Sequence, residues 1–386
     1  MKILFLTDGI YPFQLGGMQK HSLILSGLLA ERDVRMHLYH CGGEGYSPEA
    51  FLENYGSERS NIKEFMIPFP EKGKMPGHYI RENKEYSRLL YESAVESINE
   101  FDLVYAQGFT GWHFIKQKRK GEISLPILVN FHGLEMFQAP ANLKAKVEQR
   151  FFRKAVRYNL LNADGVYSFG GHIDDLLKVV GVSEDRILIH SNGIEERWLT
   201  DKLPNTVRNQ KRTITFIGRY ERRKGVEELN EALNNLIRRE DLSFVFNFIG
   251  PIPEEAKIKD ERIRYHGEIR NFETIRTVLM NSDCLICPSH SEGMPTVILE
   301  AMACGLAIIA TDVGAVSRQV KDNGILLSTP DPELIRKAVL RIIEMNDNDL
   351  TRMKSNSIEY VKKEFLWDVI ADKKIAQFNR ILANTK

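Results

Sequence analysis

The chain has 386 residues, 43% hydrophobic and 27% charged, enough for two domains of ordinary size with a core each. Lys and Arg number 53 against 52 Asp and Glu, a formal charge of +1 that excludes a general nucleic-acid binder, and no apolar run is long enough to span a bilayer. Four cysteines (Cys41, Cys284, Cys287 and Cys304) suit a reduced cytoplasmic protein better than a disulfide framework.

Strand and helix patterns then alternate along the chain. Lys2–Thr7 reads as a buried strand, too short for the apolar region of a signal peptide. The loop Asp8–Gly17 and a helix from Met18 to about Ala30 follow. Gly16-Gly17 at the helix start either lets backbone N–H groups approach a phosphate or keeps the loop supple; the residues alone favour neither. No G-x-G-x-x-G dinucleotide fingerprint is present here. Val34–His40 is a second strand. Residues 41–83 are polar, with a single strand at Ile62–Ile67, and Glu71–His78 is expected to be a loop facing an acceptor. A helix over Lys84–Ile98, a strand at Leu103–Ala106, a short helix at Trp112–Lys118 and a strand at Ile127–Phe131 lead to His132-Gly133-Leu134-Glu135. His132 thus closes a strand at its carboxyl end, where βα loops carry ligand chemistry, although a histidine there is more often structural.

Residues 142–162 predict a long basic amphipathic helix. It is either an ordinary surface helix with its apolar face in the core or one that lies on an anionic membrane. Strand Gly165–Phe169, helix His172–Val180 and strand Ile187–His190 complete a first domain over 1–194, with Asn192-Gly193 at its exit. Residues 195–211, polar and holding Pro204, read as a linker.

The second domain, 212–366, opens with strand Thr213–Ile217, the loop Gly218-Arg219-Tyr-Glu-Arg-Arg223-Lys224-Gly225 and helix Val226–Arg238. Arg219 and Lys224 would add two cations to a helix N-terminus, which suits a departing diphosphate; taken alone, such a cluster is more often a solvated loop. Strand Phe244–Ile249 ends in Gly250-Pro251. Strand Ile263–His266 and helix Asn271–Met280 precede two apolar strands, 283–287 and 306–310, which flank Ser289–Gly305. Cys284 and Cys287 match C-x-x-C, but in a strand positions three apart face opposite sides, so no redox or metal role is expected. Pro288 ends the first of these strands, Pro295 stands in the first helical turn, where no donor is needed, and Gly305 stops the helix. Glu292 then lies on the loop before the helix, and Glu300 about a turn and a half inside it. Two carboxylates beside a helix end that attracts anions would be odd for phosphate alone. They make sense if the ligand also offers hydroxyls, since a carboxylate accepts strongly from vicinal O–H groups. A sugar nucleotide has both. The alternative, two solvated acids, fits Glu300 poorly, because it is flanked by Leu299, Ala301, Met302 and Ala303. Residues 332–345 and 351–365 read as helices, and 367–386 as a C-terminal helix.

Glu292-Gly-Met-Pro and Glu300-Ala-Met-Ala-Cys-Gly resemble the E-x7-E signature of the retaining glycosyltransferases of family 4 (glycosyl transferase group 1), which have the GT-B fold. The resemblance covers nearly the whole chain and is strongest from Gly218 to Gly314. It implies an α/β protein of GT-B class: two doubly wound Rossmann-like domains facing across a cleft. In that scheme 1–194 takes the acceptor, 212–366 binds the nucleotide sugar, and 367–386 crosses back to the first domain. It also implies roles for residues. Glu300 would bind the ribose, Glu292 the donor sugar hydroxyls, and the backbone of Gly293, Met294, Pro295 and Thr296 would orient that sugar. Gly218-Arg219 and Lys224-Gly225 would hold the phosphates, Gly250 would line the nucleotide pocket, and Gly16 and Gly17 would lie beside phosphates and acceptor. His132 would position the donor and is not assigned as nucleophile. The family's usual second glycine and downstream glutamate are Ala315 and Arg318 here, so the detail of that loop does not carry over.

The implied activity is metal-independent transfer of a sugar, with retention, from a nucleotide sugar (UDP before GDP) to a glycan or lipid-linked acceptor in cell-surface polysaccharide or glycolipid synthesis. No cofactor, metal or nucleic acid is expected. The implied place is the cytoplasm or the inner membrane face, with 142–162 as the contact. Two rival readings keep the architecture. The E-x7-E pair and the Gly-Arg/Lys-Gly pairs point away from a sugar-nucleotide epimerase, and the intact motif positions point away from a non-catalytic nucleotide-sugar-binding scaffold.

Overall fold

A computed structural model describes residues 1–71, 73, 77–132, 134–137, 143–200 and 211–385; side chains 57, 58, 135, 143–148 and 385 are not described. The chain divides into two compact units, Met1–Ser191 with Trp367–Lys386, and Asn192–Leu366.

The first unit holds a parallel sheet of β1 (Lys2–Leu6), β2 (Arg35–His40), β3 (Ile62–Met66), β4 (Leu103–Gln107), β5 (Ile127–Asn130), β6 (Gly165–Ser168) and β7 (Ile187–Ile189), in the order β3-β2-β1-β4-β5-β6-β7. The two-residue period of a strand divides the side chains between two cores. Leu4, Leu6, Val104 and Ala106 pack on one face, with Tyr86 and Leu90 of α3 (His78–Ala94) and Val156 and Leu160 of α5 (Leu143–Asn162). Ile3, Phe5, Leu103 and Tyr105 pack on the other, with Leu25 and Leu29 of α1 (Gly17–Glu31) and Trp367, Ile370 and Phe378 of α13 (Trp367–Thr385). Burial on both faces is why these strands read as continuous apolar runs. The last helix is also tied down by polar contacts: Arg32 pairs with Asp368 at 2.7 Å and Asp372 at 2.6 Å, and Gln377 Nε2 donates to Ile189 O at 2.6 Å.

In the second unit β8 (Arg212–Ile217), β9 (Phe244–Ile249), β10 (Ile263–Tyr265), β11 (Cys284–Cys287), β12 (Ala307–Thr311) and β13 (Gly324–Leu327) form a parallel sheet in the order β10-β9-β8-β11-β12-β13. Helices α7 (Val226–Ile237), α8 (Phe272–Met280), α9 (Thr296–Ala303), α10 (Val316–Gln319), α11 (Pro332–Glu344) and α12 (Asp347–Glu364) connect and cover it.

Several elements differ from their sequence-based expectation for local reasons. Helix α2 (Pro48–Glu53) lies in the polar stretch 41–83, where the sequence predicts only the strand at Ile62–Ile67; it is started by Ser47, whose Oγ accepts from Ala50 N at 3.1 Å. Helix α3 begins six residues before Lys84. Helix α12 begins at Asp347, because Asn346 Oδ1 accepts from Asp349 N at 2.9 Å. Asp347-Asn348-Asp349, a D-x-D triplet that the sequence reading overlooked, is thus a first helical turn, with Asp347 held by Arg212 at 2.5 Å. Most of the expected linker, residues 201–210, lies outside the described residues, as do 72 and 74–76 of the Glu71–His78 loop. Thr200, just before, belongs to the second unit and donates its N–H to Ala303 O at 3.1 Å. Among the described residues no helix is long and apolar enough to cross a membrane.

Candidate functional site

A doubly wound sheet binds ligands where its strand order reverses, at the carboxyl ends. In the second unit that point lies between β8 and β11. The loops leaving these strands touch: His290 N donates to Arg223 O at 2.8 Å. Gly225, at φ +69°, lies so close that a Cβ there would stand 1.9 Å from Pro288 O, so this junction requires glycine.

Glu292 is only 7% exposed. Its Oε1 accepts from Lys224 Nζ at 2.7 Å and from Ser289 Oγ at 2.8 Å, and its Oε2 from Arg223 Nη1 at 3.1 Å. A carboxylate this buried carries a desolvation cost of several kcal/mol unless it is paired. Two cations and a hydroxyl offset that cost, so Glu292 is not a solvated loop acid. Beside it, His290 Nε2 lies 2.9 Å from Glu228 Oε1, and Arg222 also pairs with Glu228. Burial pushes the Glu228 carboxyl up, but its bonds to Arg222 and His290 outweigh that and leave its pKa lowered.

Helix α9 starts at Thr296, with Pro295 as its N-cap and no side-chain cap, one residue later than the sequence pattern suggested. Its first-turn amides therefore have no intrahelical acceptor. Glu300 is half-buried on the same helix. A third loop closes over this corner. Gly314, at φ +57°, would place a Cβ 2.2 Å from Glu292 O, and Ala315 N donates to Gly293 O at 2.8 Å. Ala315 sits at φ −107°, where no glycine is needed.

The structure brings Lys224 and Arg223 to Glu292, and not Arg219. The Arg219 side chain is 71% exposed and pairs with Glu221 at 3.0 Å. Sequence reasoning passed over Arg223 because Arg222, Arg223 and Lys224 are consecutive; the one-turn 3-10 helix Arg222–Lys224 decides which of them turn inward. Gly218 and Gly250 tie strand ends together, Gly218 N donating to Ile249 O at 2.9 Å and Gly250 N to Gly267 O at 2.8 Å. Cys284 and Cys287 are free and buried, as are Cys41 and Cys304, and burial pushes the Cys287 thiol up to about 11.

In the first unit the order reverses between β1 and β4. After β1, burial pushes Asp8 up to about 6, against a bond from Gln19 Nε2 at 3.0 Å. Gly16 is the N-cap of α1 and Gly17 its first residue, both exposed. His132, at the end of β5, has φ +56°, a left-handed conformation that costs a non-glycine residue about 1 kcal/mol or more. Its Nε2 lies 2.6 Å from Gln107 Oε1 and 3.3 Å from Asn130 Nδ2. Burial, reinforced by Lys374, lowers His132 to about 3. Its ring meets the edge of His21, which is 3% exposed and likewise held far below the usual histidine value by burial. Lys374, 1% exposed on α13, sets its Nζ 3.3 Å from the Tyr167 ring centroid, and burial depresses its pKa strongly. Sequence reasoning found His132 but not the shell of His21, Gln107 and Lys374, which is assembled from distant segments.

Gly133 lies outside the described residues, and Glu135 is described only as backbone of a short 3-10 turn. On α5 the Val156–Leu160 face is in the core, while Arg150, Arg153, Lys154 and Arg157 are exposed and Phe151 is 60% exposed. Residue 142 and the side chains of Lys144 and Lys146 lie outside what is described.

Two family profiles match this chain: Glycosyltransferase Family 4 over residues 15–198 and Glycosyl transferases group 1 over residues 211–345. An uncharacterized glycosyltransferase of Methanocaldococcus jannaschii is 24% identical over 380 residues, 95% of each chain. Among solved structures, sucrose-phosphate synthase from Thermosynechococcus elongatus aligns with a TM-score of 0.74 at 17% identity, over 100% of both chains. An Anabaena protein in complex with UDP and glucose aligns with a TM-score of 0.66 at 17% identity, over 98% of this chain and 100% of that one. Two parallel doubly wound units with these neighbours make the fold class GT-B. The chain belongs to the Family 4, group 1 glycosyltransferases that both profiles describe, and it is a glycosyltransferase.

Proposed function

We propose that this glycosyltransferase is retaining and metal-independent, takes its sugar from a nucleotide-sugar donor, UDP-linked before GDP-linked, and passes it to a glycan or lipid-linked acceptor in cell-surface polysaccharide or glycolipid synthesis. One observation carries the reading: Glu292, buried where β8 and β11 diverge, is bonded to Lys224 and Arg223 beside the open first turn of α9. The cations and the helix end favour a diphosphate, and the carboxylate favours hydroxyls. As the bond from the anomeric carbon to the diphosphate breaks, negative charge grows on the departing phosphate. Lys224 and Arg223, already oriented by Glu292, stabilise that charge without a divalent ion.

In this reading Glu292 accepts from sugar hydroxyls and Glu300 from the ribose, while the Gly293–Thr296 backbone orients the sugar. Arg219, Gly218 and Gly250 line the nucleotide side, and Gly16 and Gly17 the phosphate side of the first unit. His132, uncharged at working pH, contributes a hydrogen bond and no proton. UDP is favoured because a protein of the same fold was solved with UDP and glucose. The exposed cations of α5 and Phe151 suit peripheral contact with an anionic membrane from the cytoplasmic side.

The test is slow donor hydrolysis without acceptor, in EDTA, followed by NMR of the released sugar. Release of the donor's own anomer before mutarotation is expected. First release of the opposite anomer would overturn retention, and turnover only after Mg²⁺ is restored would overturn metal independence. C2 inversion of the free donor would favour the epimerase, and donor binding without any turnover would favour the scaffold.

A further inference from the structure

From Gly293 to the start of α9 each peptide plane is held by its carbonyl. Gly293 O accepts from Ala315 N at 2.8 Å, Met294 O from Asn192 Nδ2 at 2.9 Å, and Pro295 O from Gln319 Nε2 at 2.9 Å. The three donors come from three segments: the loop after β12, the entry into the second unit, and α10. Asn192 also donates its backbone N–H to Met294 Sδ at 3.3 Å. The anchorage is out of water, with Met294 4% and Gln319 0% exposed.

A trans peptide is planar, with its C=O and N–H pointing in opposite directions. Anchoring Gly293 O therefore aims the Met294 N–H the other way, and anchoring Pro295 O does the same for the Thr296 N–H. The Met294–Pro295 plane between them has no N–H, so its anchor sets only the angle between its neighbours. Among the described residues neither the Met294 nor the Thr296 N–H has an acceptor. Gln319 keeps a fully buried amide whose Oε1 takes no partner there. A hydrophobic side chain would fill the place without that desolvated oxygen, so the bond from Nε2 to Pro295 is what the amide supplies.

We infer that Asn192 and Gln319 are positioning residues for the sugar end of the donor: without touching it, they hold the loop so that the Met294 and Thr296 amides face its oxygen atoms. This rests on the nucleotide-sugar reading above. It separates two parts of the ligand, because the sugar depends on this loop while the diphosphate depends on Lys224, Arg223 and the helix end.

The experiment uses the full chain in EDTA. A panel of UDP-, GDP- and ADP-sugars selects the nucleotide sugar that binds best, and calorimetry then measures its Kd and that of its bare nucleoside diphosphate. The variants are Gln319→Met, which keeps the volume without the donor, Asn192→Ala, and Asn192→Asp, which keeps the shape but replaces donor by acceptor. Each should bind the bare diphosphate within twofold of the unsubstituted protein and the nucleotide sugar about tenfold more weakly, the scale of one or two oriented hydrogen bonds. Asn192→Asp should not rescue Asn192→Ala. If both ligands weaken together, or if the unsubstituted protein prefers its sugar nucleotide and the variants keep that preference, the inference is overturned alone. If the unsubstituted protein binds no sugar nucleotide more tightly than its diphosphate, the sugar site falls and the inference with it. Should Gln319→Met fail to fold, the Asn192 pair decides.

Discussion

At the carboxyl end of the first unit's sheet burial shifts ionisable groups toward their uncharged forms: His21 and His132 sit far below the usual histidine value, Lys374 far below that of lysine, and Asp8 above that of aspartate. In the second unit the corresponding end is built of paired ions, Glu292 with Lys224 and Arg223, and Glu228 with Arg222. The same doubly wound topology thus makes two kinds of surface. One offers hydrogen bonds from groups of little charge, which in the proposed reading suits hydroxyl-bearing ligands. The other holds charge in place before the ligand arrives, which suits a diphosphate.

Removing the carboxylate should have the largest effect. Glu292→Ala leaves Lys224 and Arg223 side by side without their acceptor and should lower unfolding free energy by about 2 kcal/mol in urea melts. That is less than the ~3–5 kcal/mol for a fully buried pair, because both cations are partly exposed. Transfer should fall at least roughly 100-fold. An unchanged melt would mean that the ions on this side are ordinary surface charges.

Gly225→Ala tests what fastens the charged loops together. With φ +69° and Pro288 O at 1.9 Å from the added carbon, it should cost about 1–3 kcal/mol and weaken diphosphate binding alongside.

Acid probes the neutral side. His132 is lowered, so below pH 6.5 the unfolded chain binds a proton that the folded one refuses. Stability from this group is complete above pH 6.5 and is lost as pH falls toward about 3, by roughly 1.4 kcal/mol per pH unit. His21 adds to this loss with the same sign. Asp8, raised to about 6, opposes it between that value and 3.8, because there the folded chain holds the extra proton. Urea midpoints should therefore fall from pH 7.5 to pH 5.5, and His132→Asn should show a shallower fall.

The smallest effect is expected at Arg219, which reaches the buried network only through its exposed pair with Glu221, itself 3.5 Å from Arg223. Arg219→Ala should leave unfolding free energy within about 0.5 kcal/mol. A larger loss would mean that this outer pair carries weight in the charged network.

Much of this was legible in the residues. Helices at Trp112–Lys118 and His172–Val180 and the strand Phe244–Ile249 match the structure residue for residue, because their apolar periods are regular. The spacing of Glu292 and Glu300 places both around α9. What escaped was either locally weak or long-range. Strand β13 has four residues, three of them partly exposed, and gives little pattern. Helix α2 depends on one serine cap. Asn192 marked only a domain exit in the sequence, and nothing in a one-turn helix signals that Gln319 would be fully buried on Pro295. Lys374 reads as one more surface lysine until α13 lays it over Tyr167.

In the proposed reading the second unit binds a nucleotide sugar through Glu300 and the loop around Glu292 without a metal. Thermal melts across UDP-, GDP- and ADP-sugars in EDTA, repeated on Glu300→Ala, test it most directly. One donor class at 100 times its Kd should stabilise the protein by about 2.7 kcal/mol, and Glu300→Ala should lose that response. A panel in which nothing raises the melting midpoint, or a rise that Glu300→Ala leaves intact, would contradict it.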